Sequence, residues 1–151
     1  MKKMVVILMM ILGVILSGGI VYSASVPMPD PDSIQIVPPD PSLPKELTAF
    51  SGKWKGIWRG RDYSSWALDA VLIVEKIEEE KAVVIYCWGT AQGIEKGGWR
   101  RYRTATITKN DGKYVLSFGG EPRVFKFWLK GEKLEGFVGP IPSDIVMKRV
   151  P

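Results

Sequence analysis

The chain contains no histidine among its 151 residues. This absence excludes histidine-based catalytic triads, histidine general bases and the commonest metal ligand. Acidic side chains remain as candidates, but the spacing of Asp62, Asp69 and Glu121 does not distinguish them from solvated loop acids. We therefore expect a protein that is not an enzyme and that needs neither a metal ion nor another cofactor.

Cysteine occurs once, at Cys87, so no disulfide can form within the chain. Cys87 stands between Tyr86 and Trp88 in an apolar segment. This position predicts a buried, unreactive thiol. Stability must then come from packing alone.

The amino terminus has the composition of an export signal. Lys2 and Lys3 precede an apolar run over residues 4–16, and small residues follow up to residue 25. This order predicts a signal peptide at residues 1–25. An uncleaved anchor is the alternative, because residues 4–21 are just long enough to span a bilayer. Either way we expect a secreted, periplasmic or envelope-associated protein, with membrane contact only through this segment if it is uncleaved.

Residues 26–44 are rich in proline and hold seven of the eleven prolines of the chain. Proline removes backbone donors and favours extended conformations. The segment therefore predicts a semi-rigid tether between the export segment and a single domain at residues 45–151. A disordered tail without a role is the alternative.

The formal net charge is +5, and the basic side chains are scattered along the chain. A mild positive charge on an exported protein suits anionic envelope polymers or lipid head groups. A solvated surface also accounts for it. No nucleic-acid-binding motif is present, so we expect no nucleic-acid partner.

Apolar and polar residues alternate with a period of two from residue 53 to the end, and no helical pattern interrupts them. The alternation predicts eight strands. They cover residues 53–60, 66–77, 82–90, 99–109, 113–118, 123–130, 133–138 and 143–150. Short links indicate an antiparallel, all-β meander, which avoids exposed edges by closing into an up-and-down barrel. A β-sandwich is the competing architecture.

The links differ between the two ends of such a barrel. The second, fourth and sixth links are tight polar turns, and we call their end the closed end. The other links are longer and define the open end; they cover residues 61–65, 91–98, 119–122 and 139–142. Binding residues concentrate on loops that a rigid scaffold holds. We therefore predict a ligand site at the open end, where Tyr63, Trp66 and Trp99 stack on the ligand and Gln92 and Arg100 bind its polar group. Ordinary packing of these aromatic residues at the rim is the alternative.

The triplet Gly52-Lys53-Trp54 at the start of the first strand resembles the opening motif of lipocalins and the wider calycin group. The preceding residues 47–50 resemble the short helix that plugs their closed end. The resemblance implies that a basic residue of the last strand packs across Trp54, and Arg149 fits this position better than Lys148. A cation over an indole would cover the floor of the barrel. The chain departs from the family in its short domain, in its lack of a disulfide and in the absence of a clear second motif.

Three functions are compatible with these patterns. The first is the binding of a small apolar or amphipathic ligand at the open end, which requires an empty interior. The second is a protein-binding module with a filled barrel, such as an exported inhibitor of a hydrolase. The third is a tethered domain that binds an envelope polymer through its positive charge.

Overall fold

The computed structural model describes residues 25–61, 66–91 and 95–151. Its strands are β1 (Gly52–Gly60), β2 (Ala67–Ile77), β3 (Lys81–Trp88), β4 (Gly98–Asn110), β5 (Lys113–Gly120), β6 (Arg123–Lys130), β7 (Lys133–Val138) and β8 (Ser143–Val150). Each strand is antiparallel to both neighbours, and β1 also pairs with β8, so the sheet closes into a barrel in up-and-down order. The predicted eight-stranded barrel is confirmed, and the β-sandwich alternative is wrong.

Two short helices precede the barrel, a 3-10 helix at Pro31–Ser33 and α1 at Lys45–Thr48. Neither has the length or the apolar composition that crossing a bilayer requires, and this holds for every helix in the described ranges. The predicted signal segment, apart from Ser25, lies outside the described residues.

The tight turns of the closed end follow from local sequence. Asp111 and Gly112 connect β4 to β5 with backbone φ angles of 49° and 78°. Two consecutive residues with positive φ match the right-handed twist of a hairpin, and an Asp-Gly pair adopts them at low cost. The turn sets the pairing of Asn110 with Lys113 and thereby the register of both strands.

The alternation of inward and outward side chains is interrupted once in β2 and once in β4. These interruptions determine which side chains enter the core. In β2, Val74 and Ile77 are both buried in the interior cluster, although they are three positions apart. The pairing with β3 shifts between Val74 and Lys76, which is a β-bulge that reverses the facing of the chain. A second shift in β4 puts Tyr102 and Ala105 on the same face.

Residues 26–37, which we call the strap, lie against the outer wall of the barrel. Val26 and Ile34 pack on an apolar outer patch of β2 and β3. The patch consists of Val71, Ile73, Ile85 and Cys87. The segment predicted as a tether is therefore docked over part of its length. Burial of four apolar side chains that would otherwise face water is the physical reason.

Glu75 fastens the strap to the wall. Its carboxylate accepts hydrogen bonds from the backbone N–H of Gln35 at 2.9 Å and from Nε of Arg101 at 2.9 Å. Its carbonyl accepts a bond from the N–H of Val37 at 2.7 Å. Arg101 also donates from Nη2 to the carbonyl of Ser33 at 2.6 Å. The side chain of Glu75 is buried yet fully paired, which makes its burial tolerable.

Cys87 lies beneath the strap with no exposed surface. Burial raises the pKa of the Cys87 thiol from its ordinary value of 9.0 to about 12. The unfolded chain therefore releases this proton at a lower pH than the folded protein does. Stability consequently falls as the pH rises from 9 toward 12.

We expect Ile34→Asp to accelerate the reaction of Cys87 with a disulfide reagent at pH 8 by about tenfold. Loss of apolar contact weakens strap docking by more than about 1.4 kcal/mol, and local opening exposes the thiol. The measurement is the rate at which the reagent's own thiol is released by reaction with Cys87 under native conditions. Ile36→Asp is the matched control, because Ile36 is 41% exposed on the same segment. Equal rates in the two variants would show that the strap does not cover Cys87.

Candidate functional site

The floor of the barrel is built from Trp54 and Arg149, whose backbones are direct partners on β1 and β8. The guanidinium carbon of Arg149 lies 4.2 Å from the centroid of the Trp54 ring. Nη1 and Nη2 of Arg149 donate to the carbonyls of Ser51 and Ala49 at 2.5 and 2.6 Å. One guanidinium thus covers the indole and also binds the chain that enters the barrel.

Gly52 makes this contact possible. Its φ of +110° is a conformation that side chains rarely adopt. A Cβ atom at this position would also lie 2.7 Å from Nη1 of Arg149. The glycine of the Gly-x-Trp triplet is therefore required both by the backbone and by the close approach of the guanidinium.

Helix α1 and the residues just after it close the barrel at its closed end. Leu47 and Phe50 are 0% and 1% exposed and belong to the interior cluster. Nε1 of Trp54 donates to the carbonyl of Phe50 at 2.8 Å, which fixes the chain just after the helix against the floor. The closed end is therefore sealed by an apolar plug and by the Arg149 contact.

Aromatic rings fill the middle of the barrel. Trp58 on β1 contacts Phe125 and Phe127 on β6 with centroid separations of 5.9 Å. Tyr86 on β3 lies 4.6 Å from Phe125. Phe118 on β5 lies 5.3 and 5.6 Å from Phe125 and Phe127. Since β1 and β6 do not pair in the sheet, these contacts cross the lumen. The five rings of Trp58, Tyr86, Phe118, Phe125 and Phe127 are called the ring core below.

The polar groups of the ring core satisfy each other. Nε1 of Trp58 donates to the hydroxyl oxygen of Tyr86 at 2.8 Å. Burial raises the pKa of the Tyr86 hydroxyl well above its usual range, so this group stays protonated. Among the described residues, no buried side-chain nitrogen or oxygen lacks a partner. Within the described ranges, the interior therefore presents no unpaired polar side-chain atom that a ligand would satisfy.

The open end is partly covered by the link between β3 and β4. Trp88 stacks on Tyr86 at 5.7 Å, and its Nε1 donates to the carbonyl of Lys96 at 2.8 Å. Glu95 of the same link forms an ion pair with Arg123 at the start of β6, at 2.8 Å. An ion pair therefore joins the link to β6, which lies two strands away from β4 in the barrel wall.

Of the predicted open-end residues that the structure describes, Trp99 does not share a surface with Trp66 and Arg100. Arg100 pairs with Tyr86, and its guanidinium lies 5.3 Å from the ring of Tyr102, at the mouth of the barrel. Trp99 is paired with Cys87 of the outer patch and is 43% exposed on the outside. Trp66 packs against the interior cluster. Tyr63 and Gln92 lie outside the described residues.

A shallow depression of about 620 Å³ lies on the outer wall, where β1 runs between β2 and β8. Its lining includes Lys55, Ile57, Val146 and Lys148. Ile57 and Val146 are register partners and are 40% and 50% exposed. Sequence reasoning missed this surface, because it assigned function to loops and treated outward lysines singly. The surface becomes apparent when the outward residues of neighbouring strands are aligned by their register.

The described residues contain no group of three or more cysteine, aspartate or glutamate side chains arranged to hold a metal ion. The acids considered above are on separate elements: Asp69 lies on β2, opposite Ile57, and Glu121 lies in the turn between β5 and β6. Asp62 lies outside the described residues. Comparison of the chain with family models, curated proteins and solved structures found no match.

Proposed function

We propose that this chain is an exported, non-enzymatic binding protein that contacts a macromolecular partner through the outside of a filled barrel. The observation that carries the proposal is the ring core, in which side chains from β1, β3, β5 and β6 meet across the lumen. A carrier needs an internal cavity of about 300 Å³ or more for its guest. Rings that touch each other across the barrel leave no such space at their level.

We also propose that the barrel is a filled variant of the lipocalin and calycin design. The positive φ of Gly52 and the stacking of Arg149 on Trp54 support this relationship. The plug formed by Leu47 and Phe50 supports it as well. In this view the floor of the barrel is retained, while large aromatic residues replace the ligand cavity.

The proposal includes export, which rests on the sequence of the amino terminus. Lys2 and Lys3 followed by the apolar run over residues 4–16 are typical of a signal segment. A strap that docks on the barrel wall is compatible with either a cleaved or an uncleaved segment, because docking begins at Val26. The partner is accordingly an extracytoplasmic protein or an envelope polymer.

A small amphipathic ligand at the mouth is the second candidate. Arg100 lies over Tyr102 there, and a cation beside an aromatic ring at a barrel mouth suits a ligand with an anionic head and an apolar body. The ring core fills the barrel below the mouth, and the link between β3 and β4 covers part of the mouth. A ligand would therefore bind in a shallow site above the ring core.

The two candidates differ in what the purified protein carries. We expect native mass spectrometry of the exported protein to detect the chain without a bound small molecule. Titration with fatty acids and retinoids should leave the tryptophan fluorescence unchanged, because the ring core admits no guest. The control titration uses Phe127→Ala, in which loss of the ring opens space beside Trp58.

Saturable binding of one small molecule by the native protein would contradict the proposal. Loss of that binding in Trp66→Ala and Arg100→Ala, with retention in Trp99→Ala, would assign the ligand to the mouth. Trp99 is a suitable control because it faces outside, next to residues of the outer patch.

A further inference from the structure

Four lysines form one row on the outer wall. Lys130 of β6 pairs with Lys133 of β7, Lys133 pairs with Lys148 of β8, and Lys148 pairs with Lys55 of β1. All four are exposed. They occupy four adjacent strands, so the row, called the lysine row, is about 14 Å long at the usual strand spacing. No other stretch of wall in the described residues has lysines paired across four strands.

The charge of the lysine row is only partly neutralised. Glu135 is an acid of the neighbouring row, and it pairs with Lys130 at 3.1 Å. Lys130 and Glu135 are 73% and 26% exposed at their side chains, so solvent screens this pair. Lys148 lies next to Val146, and Lys55 lies next to Ile57, in the depression described above. Like charges held this close repel one another, and an anion that binds the row relieves the repulsion.

The side chains of the row suit phosphate groups. Lysine binds phosphate as a compact point charge on a flexible stem, whereas arginine recognises phosphate and carboxylate alike by paired hydrogen bonds of fixed geometry. The lysine row contains no arginine. The exposed Ile57 and Val146 and the half-buried Trp128 lie in the next outward row, further from the closed end, together with Glu135.

The curvature of the row distinguishes a polymer from a membrane. In an eight-stranded barrel, each step from one strand to the next rotates the outward direction by about 45°. The four strands of the lysine row span three such steps, or about 135°. A flat bilayer would therefore meet only neighbouring lysines at one time. A flexible chain can follow all four. We propose that the lysine row binds a linear polymer of repeated phosphate groups, which specifies the class of partner and rests on the function proposed above.

The test uses fluorescently labelled, long-chain inorganic polyphosphate and the purified protein, with fluorescence anisotropy over a series of salt concentrations. One variant replaces Lys55, Lys130, Lys133 and Lys148 by glutamine. The matched control replaces four exposed lysines of the other strands, Lys76, Lys81, Lys109 and Lys113, which are not register partners of one another. Both variants lose the same formal charge.

We expect the row variant to bind polyphosphate at least about tenfold more weakly and to show a shallower dependence on salt, because fewer counterions are released. The control variant should change affinity by less than about threefold. Circular dichroism and the thermal midpoint confirm that both variants retain the barrel.

Three results would overturn the inference. They are absence of binding by the native protein, equal losses in both variants, and row-dependent binding to phosphatidylglycerol vesicles but not to polyphosphate. The first and second refute the lysine row while the proposed function stands, provided that mass spectrometry finds no small guest. The third assigns the row to a membrane surface.

Discussion

Phe127→Ala is expected to lower the free energy of unfolding by about 3–5 kcal/mol. Phe127 is fully buried, and its ring contacts the rings of Trp58 and Phe118 in the lumen. Removal of the ring leaves a cavity that the wall cannot close, because eight mutually paired strands fix the barrel diameter. The measurement is urea denaturation followed by tryptophan fluorescence.

Two variants serve as controls for this prediction. Phe127→Leu retains most of the apolar volume and should cost clearly less than the alanine variant. Ile57→Ala removes an apolar side chain from the outer wall, where 40% exposure limits the loss to about 0.5 kcal/mol. If Phe127→Ala cost no more than Ile57→Ala, the ring core would not be packed, and a hollow carrier would become the better interpretation.

Arg149→Met is expected to lower the free energy of unfolding by about 2–3 kcal/mol. The variant keeps an unbranched apolar stem but loses the cation over Trp54, which is worth about 1 kcal/mol. It also loses the charge-assisted hydrogen bonds to the carbonyls of Ser51 and Ala49. The entering chain is then held less firmly against the floor, and α1 should lose protection from hydrogen exchange.

Lys148→Met is the matched control for the floor. Lys148 is the neighbour of Arg149 on β8 and carries the same charge, but it faces outward and pairs with Lys55 and Lys133. We expect its stability to change by less than about 0.5 kcal/mol, since it removes only an exposed charge. Equal destabilisation by both variants would mean that net charge, and not the contact with Trp54, explains the effect of Arg149→Met.

Most strand boundaries followed from sequence because the relevant interactions are local. Turns such as Asp111-Gly112 select their own geometry and set the pairing of the strands beside them. The bulges in β2 and β4 were not predicted. They depend on how Ile77 and Ala105 fill the interior, and an alternation pattern read along one strand contains no information on that volume.

Two residues of the predicted open-end site, Trp99 and Arg100, lie on opposite sides of the barrel wall. Trp99 and Arg100 are adjacent in sequence, so a pleated strand directs them to opposite sides of the wall. Arg100 lies over Tyr102 at the mouth, while Trp99 is outside. Both residues were assigned to one site from their position beside a loop, and position along the chain does not specify the side of a barrel wall.

The eight antiparallel strands could be predicted from the sequence, because period-two patterning and turn chemistry act over a few residues, whereas the contact of Arg149 with Trp54 was implied by the resemblance to lipocalins. Three features became apparent only in three dimensions: the lumen is filled, the proline-rich strap docks over Cys87, and Lys55 lies beside the row formed by Lys130, Lys133 and Lys148. The first and the third depend on closure of the sheet, which brings β1 beside β8 and rings from non-adjacent strands into contact. Docking of the strap depends on the outer patch that β2 and β3 form together. All three features join residues far apart in the chain and therefore leave no local pattern.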